Sequence, residues 1–171
     1  MEKKDYLRLR NRYRPPRIQT VFILESPPAS GKYFYDPDGS IHEQLFSAMM
    51  DLLDFEPETK RDGLEYFSRT GHFLVDATYE PVNELRGKTR EAAILRNYDN
   101  LVEDLRALGA SNTIDFVLIK ANICQLLGPR LEADGFNVLN RGVSIPFPGS
   151  GQQGNFRKVL PEVYKFKPTG A

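Results

Sequence analysis

The run I-Q-T-V-F-I-L at residues 18–24 decides the fold. It is apolar, rich in β-branched side chains, too short for a helix and bounded by Pro15-Pro16 and Pro27-Pro28, so it reads as a strand buried on both faces. Two similar runs follow, F-L-V-D-A at 73–77 and D-F-V-L-I-K at 115–120, and a last strand falls at either 136–139 or 143–147. Helical stripes lie between them. Ile41, Leu45, Met49 and Leu52 recur at helical spacing behind a Ser40/Glu43 capping-box signature. Ile94, Tyr98, Leu101, Leu105 and Leu108 line one face of a long helix over 91–108, stopped by Gly109. A short helix carries Ile123, Leu126 and Leu127 and breaks at Gly128-Pro129, and a final one spans 155–164 with Pro161 as an interruption. Short apolar strands alternating with helices predict an α/β fold, a three-layer α/β/α sandwich around a central, mostly parallel four-stranded sheet.

With 171 residues the chain has the size of one domain, and 40% hydrophobic and 27% charged residues are ordinary for a globular protein. No apolar stretch approaches the roughly 20 residues of a membrane span, and the N-terminus is charged where a secretory signal would be apolar, so a cytoplasmic protein is expected. Cys124, the only cysteine, can form neither an internal disulfide nor a cysteine-rich metal cluster, and reads as a small buried hydrophobe. Net charge is zero, yet residues 1–17 carry seven basic side chains against Glu2 and Asp5. This segment is expected to be a basic arm able to track phosphates, with residues 18–171 forming the single domain.

In a parallel sheet the ligand crevice lies outside the carboxyl ends of the strands. Three loops thereby become site candidates, at 25–35, 76–83 and 146–155. The first reads L-E-S-P-P-A-S-G-K-Y-F-Y from Leu24, the second opens on Asp76, and the last reads I-P-F-P-G-S-G-Q-Q-G-N-F-R-K from Ile145. In order and context these loops resemble the uracil-DNA glycosylase superfamily. There an apolar strand runs into a loop such as GQDPY or GEAPG, a second strand ends on a polar base-reading residue, and a final strand opens into HPSP or NPSG.

The resemblance implies a DNA glycosylase that hydrolyses the N-glycosidic bond of a flipped damaged base, with uracil as the expected base. Glu25 falls on the glutamate of GEAPG and Pro27 on the shared proline, while Ser26 replaces the aspartate of GQDPY. Glu25 and Asp76 are then the catalytic candidates, because a carboxylate near the sugar can stabilise developing positive charge and activate water. Phe34, in the stretch similar to G-R-P-F, is the expected stacking platform, with Tyr35 as its neighbouring alternative. Asp76 stands where relatives often have an asparagine. An ionised carboxylate only accepts hydrogen bonds and would repel a uracil carbonyl, so Asp76 is protonated by burial, or Asn83 reads the base, or a different base is preferred.

Ile145 takes the place of the histidine of HPSP, and His42 and His72 fall on no motif and are read as structural. Ser150, Gly151, Gln152 and Gln153 are expected to approach DNA, with a glutamine entering the space left by the flipped nucleotide, and Arg157 and Lys158 to reach the flanking backbone. A single cysteine excludes the four-cysteine iron–sulfur branch. No metal or organic cofactor is implied, and the expected partner is uracil-containing DNA, single- or double-stranded, bound by a monomer. Two rival readings share these features: a DNA-damage-binding module with weak or lost catalysis, and a nucleoside or nucleotide hydrolase of related fold.

Overall fold

A computed structural model describes residues 1–109 and 112–166. Four parallel strands form the sheet: β1 (Thr20–Leu24), β2 (His72–Asp76), β3 (Asp115–Leu118) and β4 (Asn137–Val138), in the order β2-β1-β3-β4. Helices surround it in a three-layer α/β/α arrangement. Among the described residues they are α1 (Lys3–Asn11), α2 (Gln44–Leu52), α3 (Lys60–Arg69), α4 (Gly87–Arg96), α5 (Tyr98–Ala107), α6 (Ala121–Ala133) and α7 (Gln153–Val163).

Every residue of β1 and β2 is buried, as a strand covered on both faces requires. Val21, Phe73 and Phe116 are register partners and share one face, whereas Phe22, Leu74 and Val117 share the other. On the second face Phe22 meets Phe67 of α3 and Tyr164 beyond α7, with ring centroids 6.1 and 5.6 Å apart. Helices α2 and α3 approach closely there. A Cβ on Gly63 would fall 2.3 Å from the Phe46 ring, so only glycine permits the crossing.

The helix expected over 91–108 is two helices. Asn97 ends α4 by turning its own amide back, Nδ2 donating to the Ala93 carbonyl at 2.8 Å, and α5 starts afresh at Tyr98. Helix α6 instead runs through Gly128-Pro129, where a break was expected. Leu127, Gly128 and Leu131 are buried while Pro129 is exposed, so burial outweighs the missing N–H and the freed carbonyl can meet water. Helix α7 likewise continues through Pro161. The Ser40 and Glu43 contact forms, at 3.1 Å, but across a turn, and α2 begins only at Gln44. Of the two candidate last strands the first is used, cut to two residues. Asn140 then takes over with its side chain, accepting from the Leu118 N–H at 3.0 Å and donating to the Leu118 carbonyl at 2.9 Å, so residues 143–147 form no strand.

The basic segment at 1–17 folds as α1 against the body, with Tyr6 and Arg10 buried. Arg10 is 3% exposed and forms a two-pronged pair with Asp104 of α5, at 2.7 and 2.9 Å. It is therefore unavailable to phosphate, contrary to the expectation for this arm. Arg14 is also engaged, donating to the Ala107 carbonyl at 3.0 Å.

Candidate functional site

At the carboxyl ends of β1, β2 and β3 lies a cavity of about 960 Å³. This is the switch point at which consecutive strands leave β1 on opposite sides, β2 to one and β3 to the other. The parallel register sets Asp76 beside Leu24, and the Ala77 and Thr78 N–H groups donate to the carbonyls of Leu24 (2.8 Å) and Glu25 (3.1 Å). Two carboxyl groups, Glu25 and Asp76, are thereby held at adjacent strand ends. Both are buried and both line the cavity.

Their surroundings differ. Glu25 accepts from Arg90 Nε at 2.8 Å, again from the Arg90 guanidinium, from Lys120 Nζ at 2.7 Å, and from the Asn122 side-chain amide. Burial would raise its pKa, but the hydrogen bonds from Arg90, Lys120 and Asn122 together hold it below the ordinary carboxylate value. Its lone pairs are occupied, and with two cations around one anion the cluster carries net positive charge. That is poorly suited to activating water and well suited to receiving an anion at Lys120, whose side chain is partly exposed to the cavity.

Asp76 has no such partners. Its Oδ2 is buried without a hydrogen bond, and burial pushes its pKa up to about 7 against the opposing pull of Arg10. The hydroxyl of Tyr33 is the other buried side-chain oxygen without a partner among the described residues. Burial first and the charge of Asp76 second hold that phenol well above its ordinary pKa, so it stays protonated. Asp76 also lines a second cavity of about 620 Å³ beside α1 and α5, and so stands in a wall shared by two hollows.

The remaining expected residues divide. Ser26, Pro27, Phe34 and Asn83 all line the cavity. Ser26 Oγ accepts from the Val82 N–H at 3.3 Å and Asn83 Oδ1 from the Ala29 N–H at 3.3 Å, which ties the loop after β1 to the loop after β2. Phe34 is only 5% exposed. Its ring is enclosed by Tyr35, Phe67 and Phe46 at centroid distances of 4.9, 5.2 and 6.1 Å, leaving little face for a ligand. Tyr35 is not in the cavity wall at all. Fully buried, its hydroxyl accepts from the Leu74 N–H at 2.7 Å, so it belongs to the core rather than to base binding.

Ser150, Gly151 and Gln152 form the turn into α7, Gln153 is its first residue, and Arg157 and Lys158 lie further along it; none of them lines the cavity. Arg157 pairs with Asp51 of α2 at 2.5 Å, so the backbone contact expected of it competes with an exposed salt bridge. His72 is structural, as read: buried between Thr70 Oγ1 (2.7 Å) and the Tyr164 hydroxyl, it is held by burial at a pKa of about 4 and stays neutral. His42 is exposed and lines the cavity, a placement its sequence position did not indicate.

Lys120, Arg90 and Asn122 were also missed. Lys120 carried a signal, because it is the charged end of the apolar run D-F-V-L-I-K and strand ends face the crevice. It adopts φ +88°, a conformation that costs a non-glycine residue energy, and its N–H donates to the Ile145 carbonyl at 2.7 Å. Arg90 and Asn122 had none, since only the tertiary fold turns them toward Glu25. Lys60 adds a support behind the site. Its side chain is fully buried, and Nζ binds Glu43 at 2.5 Å and the Tyr33 carbonyl at 2.7 Å, fastening the loop after β1 to the start of α2.

Among the described residues, no group of three or more His, Cys, Asp or Glu side chains is placed to hold a metal ion, and no helix is long and apolar enough to cross a membrane. Comparison with known proteins gives no matching family model and no matching curated protein.

Proposed function

We propose that this chain is a DNA glycosylase of the uracil-DNA glycosylase type, hydrolysing the N-glycosidic bond of a base drawn out of DNA into the cavity, with uracil as the base. The observation that carries the reading is the buried, half-unpartnered carboxyl of Asp76 at the end of β2. Its pKa of about 7 supplies the donor that an ionised carboxylate lacks. Neutral Asp76 can donate to a base carbonyl and accept from the adjoining ring N–H. A cavity of about 960 Å³ has room for a nucleotide.

In this mechanism Asp76 engages the extruded base and stabilises the negative charge that develops on it as the C1′–N bond breaks; water then adds to the cationic C1′, and the proton it loses passes to the departing base. Lys120, oriented by Glu25, holds a backbone phosphate at the cavity mouth. Glu25 thus acts as a positioning residue, not the general base that its place in the motif implied. Cytoplasmic DNA repair by a monomer is part of the same proposal. The saturation of Glu25 adds to the missing motif histidine at Ile145 and to the altered aspartate in favouring the second reading, a damage-binding module with little catalysis.

The test is incubation of the protein with oligonucleotides carrying uracil, hypoxanthine, xanthine or mismatched thymine, scored by alkali-sensitive strand cleavage. Cleavage at uracil is expected. Tight binding with no cleavage at any base selects the binding module, and absence of binding to every oligonucleotide overturns both readings.

A further inference from the structure

Nearly every phenylalanine and tyrosine of this chain is at least partly covered, with one exception. Among the described residues Phe147 is the only exposed one, at 37%. An isolated exposed aromatic is unremarkable when it sits on a mobile surface loop. Phe147 sits on a fixed one, and it lines the cavity mouth.

The fixing is built from three hydrogen bonds and two prolines. Asn140, itself 3% exposed, donates to the Val143 carbonyl at 3.0 Å. Ile145 is fully buried and its carbonyl accepts from the Lys120 N–H, which anchors the loop to the end of β3. Pro146 and Pro148 flank the ring, and each restricts its own φ. Finally the Gly149 N–H closes back on the Phe147 carbonyl at 2.8 Å, and a Cβ on Gly149 would come within 3.0 Å of the Phe147 ring and 2.6 Å of Gln44 Oε1. Glycine at 149 is therefore what lets the ring sit against the loop. The result is an aromatic face pre-positioned at the rim, with little ordering entropy left to lose on binding.

Phe34, the aromatic expected to stack on a ligand, has its ring enclosed inside the wall. Among the described residues Phe147 is the one exposed phenylalanine or tyrosine in that wall, at the cavity's rim, while Tyr33, Phe34 and Phe46 are buried. We infer that Phe147 is a stacking platform for the nucleobase adjoining the one held in the cavity, so that the site binds a stretch of strand and not a lone nucleotide. This rests on the DNA reading above. Aromatic stacking suits such a partner because every base offers a π face, whatever the sequence.

The chain contains no tryptophan, so Phe147→Trp introduces a unique fluorophore at the rim. The probes are deoxyuridine monophosphate and a single-stranded pentanucleotide with central uracil, fluorinated at the 2′ position of that nucleotide to block cleavage. Phe147→Ala is expected to weaken the pentanucleotide by about tenfold, the scale of one lost stacking contact, while leaving the mononucleotide unchanged. Phe147→Trp should keep the affinity, and its emission should be quenched by the pentanucleotide only. Equal losses for both ligands, an unchanged pentanucleotide affinity in Phe147→Ala, or failure of the wild type to bind the pentanucleotide would each overturn the inference. The outcome is separable from glycosylase activity. Phe147-dependent binding without base release would overturn the glycosylase and keep the platform, and base release indifferent to Phe147 would do the reverse.

Discussion

Glu25 and Asp76 occupy equivalent places, the carboxyl ends of neighbouring parallel strands, and are almost equally buried at 5% and 4% exposure. One is surrounded by donors and held ionised; the other has a bare oxygen and a pKa pushed up to about 7, so that it is about half protonated at neutral pH. Burial acts on both in the same direction, so the partners decide the difference. Three elements converge on Glu25, bringing Arg90 from α4, Lys120 from the end of β3 and Asn122 from α6. The cation nearest in effect to Asp76 is Arg10, and it is already committed to Asp104 and to the Tyr79 hydroxyl at 2.8 Å. A strand-end carboxylate is thus not one kind of group. Its chemistry is set by which cations are left unspent around it.

The sharpest way to break this comparison is to make the two sites alike. Replacing Asp76 with alanine removes both donor and acceptor, and base release is expected to fall at least about a hundredfold. Asp76→Asn keeps both and should retain release. Because the neutral acid is the working form, wild-type activity should decline about tenfold per pH unit above pH 7 while Asp76→Asn stays flat. Single-turnover pH–rate profiles of the two proteins check this, and loss of release in Asp76→Asn at every pH would make Asp76 a catalytic carboxylate instead.

Stability should separate the pair next. A buried acid whose folded pKa exceeds its unfolded value binds more protons when folded, so its ionisation lowers stability from about pH 4 up to about pH 7, with no further change above. Asp76→Asn should accordingly stabilise the protein at pH 8, by up to about 4 kcal/mol, and much less at pH 4. Glu25 has the opposite sign. Its depressed pKa contributes stability that is present above the unfolded value and lost as pH falls through the folded one. Glu25→Ala leaves Arg90 and Lys120 facing each other and is expected to cost about 3 kcal/mol at pH 7, shrinking in acid. Denaturant melts at three pH values measure both signs, and a common sign for the two variants would show that local partners do not control these groups.

The smallest effect belongs to an exposed pair. Arg157 and Asp51 are each about half exposed, and Asp51→Asn should change stability by less than about 1 kcal/mol. It should, however, release Arg157 toward phosphate and steepen the salt dependence of DNA binding by about one counterion. An unchanged salt slope would take Arg157 out of the interface.

The sequence by itself determined the sheet. Three runs at 18–24, 73–77 and 115–120 are apolar along their length, which only a strand covered on both faces can use, and that also located the crevice at Glu25 and Asp76. Helix α3 was not legible, because K-R-D-G-L-E-Y-F-S-R buries a lysine and a glycine alongside Leu64 and Phe67. The break at Asn97 and the continuity across Pro129 depended on contacts that propensity does not contain. The site follows the same division. Strand ends are fixed by local pattern, and so are the residues that sit on them. Whether a carboxyl there is quenched or left bare depends on residues 65 to 97 positions away, on Arg90, Lys120 and Asn122, which only the tertiary structure brings within hydrogen-bond reach.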